Sequence, residues 1–294
     1  MINTLYTIFI ICVLFYYSLY GASIVKENFD SSKKYKVSLC CIIKDERYLE
    51  EFVIYYSTLG VEHFYIYDNE SKNPIKERLS HSYFQDKCTI IDFPGKVQQL
   101  NAYNDCISKT ANETNWLIIV DGDEYILPKK HETIQDFLNE YEDAHAIGIN
   151  WKMFGSSHYE TKQSGFLIDK YRKCDNKQNK HIKTILKPEH SIKMTDPHTV
   201  ELKDNTKYVD AKKNVIHGPF NENDTIDIIQ INHYHEKSYE EQLEKQKRGF
   251  PDKEHNSYVP NVHSTHNDVT DNLIANKYLK KVMDTAKNIG FNGV

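Results

Sequence analysis

The sequence predicts an α/β body built on a mostly parallel, twisted sheet flanked by helices. Three observations carry that expectation. Short apolar runs rich in β-formers alternate with segments of helical period from Val37 to Val120. Their spacing leaves room for helical crossovers, which join parallel neighbours. Acidic groups follow three of the first four runs directly, at Lys44-Asp45-Glu46, at Asp68 and at Asp121. Open sheets of this kind bind ligands beyond the carboxyl ends of their strands, so the acids are expected to converge on one edge.

Each element follows from its local pattern. Val37 to Ile43 (VSLCCII) is a continuous apolar run, the mark of a strand buried on both faces. Cys40 and Cys41 within it must point to opposite faces. Asp45 to Leu59 sets Leu49, Phe52, Val53, Tyr56 and Leu59 at helical spacing, and Gly60 suits the residue that closes such a helix. His63 to Tyr67 is a second strand, DNESKNP a loop, and Ile75 to Tyr83 a helix. Thr89 to Phe93 is a third strand, Gln98 to Lys109 a helix, and Trp116 to Val120 a fourth strand ending at Asp121. Ala146 to Trp151 is a further strand, and beyond Ser156 the pattern loosens into mixed strands and loops. Tyr239 to Arg248 is a polar helix with an i,i+4 pair, Glu241 and Lys245.

Composition excludes several classes. The 294 residues are 39% hydrophobic and 27% charged, too apolar for a disordered chain. A formal net charge of −5 argues against a nucleic-acid partner, which needs a basic footprint. Mean hydropathy of −0.64 excludes a multi-span membrane protein. Six cysteines show no CxxC or zinc spacing. Sequons stand at Asn69, Asn112 and Asn223, and matter only if the body is luminal.

The apolar residues are uneven. Leu5 to Ala22 is uncharged, and about 18 residues at about 1.5 Å each just cross a hydrocarbon core of roughly 30 Å. Tyr16, Tyr17 and Tyr20 near its end suit an interfacial belt. A single-pass anchor is the preferred reading; a cleaved signal peptide lacks its basic n-region, and a buried helix is the third possibility. Lys26, Lys33, Lys34 and Lys36 all follow the segment, which by the positive-inside rule sets the body on the cytoplasmic side. The expected organisation is therefore residues 1–23 as anchor or signal segment, 24–36 as linker, 37–250 as the body, and 251–294 as a helical or irregular extension.

Asp121-Gly122-Asp123-Glu124 follows WLIIV directly. In an extended turn Asp121 and Asp123 can aim their carboxylates the same way, and Gly122 lets backbone approach a ligand. Two carboxylates at a strand end are a hard-oxygen site for Mn²⁺ or Mg²⁺, which completes its shell with substrate phosphates and water. His233 and His235 flank Tyr234 and share one face of a strand.

Several segments in order resemble one known group. IIKDERYLEEFVIYYSTLGVEHFYIYDNES, QQLNAYNDCI, WLIIVDGDEYILP, INWKMFGSSHY and INHYHEKSYEEQLEKQKRG together resemble a GT-A glycosyltransferase of the family 2 or family 92 type, over about residues 37–250. The resemblance implies a metal-dependent, inverting transferase acting on a nucleotide-sugar, with a glycan or glycoconjugate as acceptor. It implies metal ligation at Asp121, Asp123 and His233. It puts Asp68 against the nucleoside, and Lys44, Asp45 and Glu46 at the base. Lys237 and Arg248 are its candidates for holding the diphosphate. An acceptor-side base is expected among Glu160, Asp169, Asp196 and His198; spacing does not choose among them. Such enzymes more commonly sit in a secretory lumen, against the lysine distribution. Trp151 and Phe154 read as core more readily than as a sugar platform, and Lys183 as either a phosphate contact or a solvated loop residue. The alternatives are a metal-dependent nucleotidyltransferase and a non-catalytic nucleotide-sugar-binding scaffold.

Overall fold

The computed structural model describes residues 29–203, 206–248 and 265–294. The apolar segment Leu5–Ala22, His255 and His263 lie outside the described residues. Among the described residues, no helix is long and apolar enough to cross a membrane.

The first half follows the expected alternation. Strands β1 (Tyr35–Ile43), β2 (His63–Asp68), β3 (Cys88–Asp92) and β4 (Thr114–Ile119) pair in parallel in the order β3-β2-β1-β4. Helix α1 (Leu49–Thr58) crosses from β1 to β2. Two short helices, α2 (Ile75–Arg78) and α3 (Ser82–Gln85), cross to β3, and α4 (Gln99–Thr110) crosses to β4. Gly60, at φ +89°, closes α1 in the left-handed region that glycine reaches without strain. The single helix expected over Ile75–Tyr83 is instead broken, because His81 turns extended and its ring accepts from Tyr83 N to start α3.

Beyond β4 come β5 (Glu124–Pro128), α5 (Ile134–Leu138), β6 (Ala146–Met153), α6 (Leu167–Lys170), β7 (Lys173–Cys174) and β8 (Ile182–Leu186). Then follow β9 (Ser191–Met194), β10 (Val200–Leu202), β11 (Tyr208–Asp210), β12 (Ile229–His233), α7 (Tyr239–Arg248), β13 (Val269–Thr270) and, after a π-helical turn, α8 (Lys280–Asn288). The main sheet continues β4-β8-β6-β12-β5, with β8 antiparallel to both neighbours and β5 antiparallel to β12. The sheet is thus mostly parallel, as expected, with only β8 and β5 running against the other strands; those two reversals could not be foreseen, because a strand's own residues show its burial but not its partner's direction.

Only Val120 to Asp123 join β4 to β5, although β8, β6 and β12 stand between them in the sheet. Four strand spacings of about 4.8 Å span roughly 19 Å when flat. The link is a tight turn, with Glu124 N bonded to Asp121 O at 3.1 Å, so the sheet curls to bring its two parts together. The turn that forces the curl is the Asp-Gly-Asp segment. The open edge of β5 is closed by α1 rather than by another strand. Tyr55 donates to Ile126 O at 2.5 Å, and Tyr56 donates to Glu124 O at 2.8 Å while accepting from Ile126 N at 3.1 Å.

Both sheet faces are buried. Cys41 joins the cluster under α1, which includes Leu49, Phe52 and Val53, and Cys40 joins the one under α4 with Tyr103 and Cys106. Fully burying each such apolar side chain contributes about 1.5–3 kcal/mol. Residues expected as linker and extension belong to this body. Asp30 N bonds Asn115 Oδ1 at 2.6 Å, and Tyr278, Val282 and Ala286 lie within the α1 cluster. Gly155 explains the FGS segment: a Cβ there would meet the carbonyls of Thr265 and His266 at 2.5 Å, so only glycine lets the returning chain pack against it.

Candidate functional site

The curl sets three segments around the Asp-Gly-Asp turn: the end of β1, the end of β12 and the start of β8. Pairing of His233 with Glu124, continued by Tyr234 N donating to Asp123 O at 2.8 Å, lays the His-Tyr-His segment along the turn. The β4–β8 register, Ile118 opposite Ile185, extends to bring Lys183 level with the strand's end.

The two aspartates have different surroundings. Asp121 Oδ1 accepts from Gln99 Nε2 at 2.7 Å and Tyr103 Oη at 2.6 Å, and its Oδ2 accepts from Lys183 Nζ at 2.9 Å. Burial would raise its carboxyl, but the Lys183 ammonium and the Tyr103 hydroxyl bring it below the ordinary value. Asp123 Oδ2 accepts from Lys245 Nζ at 2.8 Å, and His233 Nε2 stands 3.6 Å from its Oδ1. Burial is again outweighed, here by Lys245, His233 and Lys237, which hold this carboxyl well below the ordinary range. Burial meanwhile lowers His233, with Asp123 opposing. The pair is therefore a carboxylate beside a neutral imidazole. Beneath them, burial pushes Glu124 well above the usual carboxylate range, with Lys183 opposing at 3.7 Å.

A cavity of about 320 Å³ opens over this turn, and its wall includes Asp121, Asp123, Trp151, His198, His233 and Lys245. An adjoining cavity of about 490 Å³ shares Lys44, Glu46, His235, Lys245 and Arg248 and adds Lys237. Lys237 Nζ bonds both oxygens of Glu46 at 3.1 Å. Arg248 Nη1 donates to Lys44 O at 2.6 Å and Asp45 O at 2.8 Å, tying the end of α7 to the loop after β1. Asp45 holds that loop at φ +52°. A capping box sets the start of α7: Ser238 Oγ donates to Glu241 Oε2 at 2.6 Å and accepts from Glu241 N at 3.3 Å.

The structure thus gathers Lys44, Asp45, Glu46, Asp121, Asp123, His233, Lys237 and Arg248 around two joined cavities. It does not bring Asp68 there: that carboxylate accepts from Ser71 N at 2.9 Å and Ile75 N at 3.1 Å, closing the loop after β2. Asp196 Oδ1 accepts from His198 N at 2.7 Å and Thr199 N at 3.0 Å, so it shapes a turn. Glu160 is exposed and forms part of neither cavity wall. Of the base candidates, only His198 lines the cavity over the aspartates. Asn69 is buried, and its Nδ2 donates to Phe93 O at 2.8 Å and Gly95 O at 2.9 Å, so the atom a glycan would need is occupied.

Four neighbours had no sequence signal of their own: Gln99, Tyr103, His181 and Lys245. Lys183 did have one, being a lysine inside the apolar run IKTIL, where a buried cation requires an anion.

As a divalent-cation site the set is a half-shell. Among the described residues, no three His, Cys, Asp or Glu side chains are gathered to cage a metal. Carboxylate Asp123 and neutral His233 have the right chemistry, and His233 Nδ1 is buried without a partner. Mg²⁺ and Mn²⁺ are commonly held by one or two protein groups plus substrate phosphates, so the donors fit such an ion with a diphosphate present.

The chain belongs to glycosyltransferase family 92, whose model matches residues 33–273. It is 29% identical over 121 residues to a family 92 protein of Oryza sativa subsp. japonica, covering 40% of this chain and 20% of that one. A family 92 protein of Ricinus communis is 25% identical over 193 residues, 63% of this chain and 35% of its own. One of Arabidopsis thaliana is 24% identical over 217 residues, 67% and 37% respectively. The chain therefore spans well under half the length of these curated relatives.

Proposed function

We propose that this chain is a GT-A-type, metal-dependent glycosyltransferase. It moves a sugar from a nucleotide-sugar, a UDP-sugar by preference, to a hydroxyl of a glycan or glycoconjugate, with inversion. The observation that carries the reading is the carboxylate of Asp123 beside the neutral imidazole of His233, on the wall of a cavity that continues into one lined by lysines, arginines and carboxylates. Membership of family 92 supports it.

In glycosyl transfer a nucleoside diphosphate leaves with growing negative charge. Asp123 and His233, with Asp121 adjacent, would hold a divalent cation, which would supply Lewis-acid neutralisation of that charge. This chain's own cations act on the same charge. Lys245 lines both cavities, Lys237 lines the second, and Arg248 keeps the loop after β1 in place beneath them. Lys183 holds Asp121 in one orientation from below.

Inversion needs a base to take the acceptor proton. His198 has the properties. Its Nδ1 donates to Ile182 O at 2.8 Å, which leaves Nε2 as the ring's lone-pair nitrogen. Burial and then Lys183 lower its pKa, opposed by the Ile182 carbonyl, Asp121 and Asp196. The imidazole therefore stays neutral, and competent as a base, to a pH below the ordinary value of about 6.5.

The test is UDP-sugar hydrolysis as a function of pH. Wild type is expected to lose rate only as pH falls below about 6.5, through the folded His198 value. His198→Ala is expected to lose that acid limb and about 10²–10⁴-fold in rate. An acid limb unchanged in His198→Ala would remove His198 from the role.

A further inference from the structure

One wall of the cavity over the aspartates has no part in holding a diphosphate. It is built from rings. Trp151 and His181 stack, with centroids 5.2 Å apart and planes 21° from parallel. His198 meets Trp151 edge-on at 5.0 Å, and Phe220 meets His181 edge-on at 4.8 Å. Phe220, 44% exposed, lies behind His181 and outside the cavity lining.

The wall is held rigidly from behind. Trp151 N donates to His181 O at 3.0 Å, and Asn179 N donates to Trp151 O at 2.8 Å. Buried Asn150 donates from Nδ2 to Asn221 O at 2.9 Å and accepts at Oδ1 from Asn221 Nδ2 at 2.9 Å. His181 Nδ1 donates to Asn179 Oδ1 at 2.8 Å, as His198 Nδ1 does to Ile182 O. Both rings therefore keep Nε2 as an acceptor. The indole Nε1 of Trp151 is buried without a partner. An orphaned buried donor costs free energy until something accepts from it.

Apolar ring faces combined with unclaimed acceptors match a pyranose. Such a ring offers a C–H face for stacking and an edge of hydroxyls that donate and accept. A phosphate, which only accepts when ionised, has no use for two lone-pair nitrogens. We infer that the Trp151–His181–His198 wall is an acceptor subsite that binds a terminal pyranose of a glycan, with a hydroxyl directed at His198 Nε2 and with exposed Phe220 beside its outer end. This inference rests on the transferase reading above and adds the substrate class to it.

The two tryptophans make the inference measurable. Trp116 is sealed in the core at 1% exposure, and Trp151 is half-buried at the wall. The full chain is titrated with the methyl pyranosides of galactose, glucose, mannose and N-acetylglucosamine while tryptophan emission is recorded. At least one is expected to change the emission saturably. Trp151→Phe is expected to abolish the change, and Phe220→Ala and His181→Ala to weaken binding about threefold to tenfold. Melting curves of each variant establish that it is folded, and exposed Phe220 is the one least able to disturb the core.

Three results would overturn the subsite: no pyranoside bound, affinity unchanged in both ring variants, or UDP alone bound more weakly in those variants. The last would make the wall a nucleobase site. Release of UDP or GDP from sugar donors by wild type is measured in parallel. Release without pyranoside binding sinks the subsite and leaves the transferase reading standing. Pyranoside binding through these rings without any release supports the sugar site and sinks the transferase reading.

Discussion

Asp123→Ala is expected to lower nucleotide release from the sugar donor by about 10²–10³-fold with little change in melting temperature. The asymmetry follows from what Asp123 touches. Its carboxylate draws Lys245 of α7 and His233 of β12 onto one point, and these come from two different elements. Without it, the cationic wall loses its anchor and a cation loses its carboxylate donor. The fold tolerates the loss, because Lys245 is partly exposed and can regain water, and His233 is neutral. The turn itself is set by backbone, through Tyr234 N on Asp123 O and Glu124 N on Asp121 O. Hydrolysis assays and thermal melts on the same preparation check both halves. An unimpaired rate would remove Asp123 from the site.

Lys183→Met is expected to act in the opposite way, on stability first. The Lys183 side chain is 1% exposed and bonds Asp121 at 2.9 Å. Asp121 keeps a 30% exposed side chain and can regain some water, so losing its buried cationic partner costs about 1–3 kcal/mol. Asp121 is the charge left alone, since burial already favours the protonated form of Glu124. Lys183→Met combined with Asp121→Asn is therefore expected to recover most of the loss. Urea unfolding of the two variants measures it. A double variant no more stable than the single one would show that Lys183 acts by packing rather than charge.

Much of the scaffold was legible because its signals are local. Periodicity finds α1, α4 and the strands from β1 to β4 within a residue or two, except that α1 starts at Leu49 and not Asp45. There Asp45 stands at φ +52° and bonds Lys72 N at 2.8 Å, so tertiary demands on the loop override a helical pattern. The second half was less legible because its organisation depends on pairing. Glu124–Pro128 reads on from WLIIVDGD as one motif, but it is a separate strand at the far end of the sheet order. Nothing in either strand's residues encodes the curl; the tight turn between them does.

The site divides along the same line. Asp121 and Asp123 could be picked out from residue type and order, while His233 and the role of the loop after β1 came only with the family resemblance. Asp68 could be picked out equally well and does something else, because an aspartate at a strand end closes a loop as readily as it meets a ligand. Lys245 was visible only as a helix-surface partner of Glu241 and stands instead on Asp123, a contact spanning 122 residues. Choosing His198 over Glu160 and Asp196 required knowing which of them a folded cavity admits.

Under the proposed function the Asp-Gly-Asp turn and His233 serve cation-assisted departure of a nucleoside diphosphate. That role is tested most directly by nucleotide release from a panel of UDP- and GDP-sugars, measured in Mn²⁺ and in chelator. Release from at least one UDP-sugar in Mn²⁺, and its loss in chelator, is expected. Equal release in chelator would contradict it.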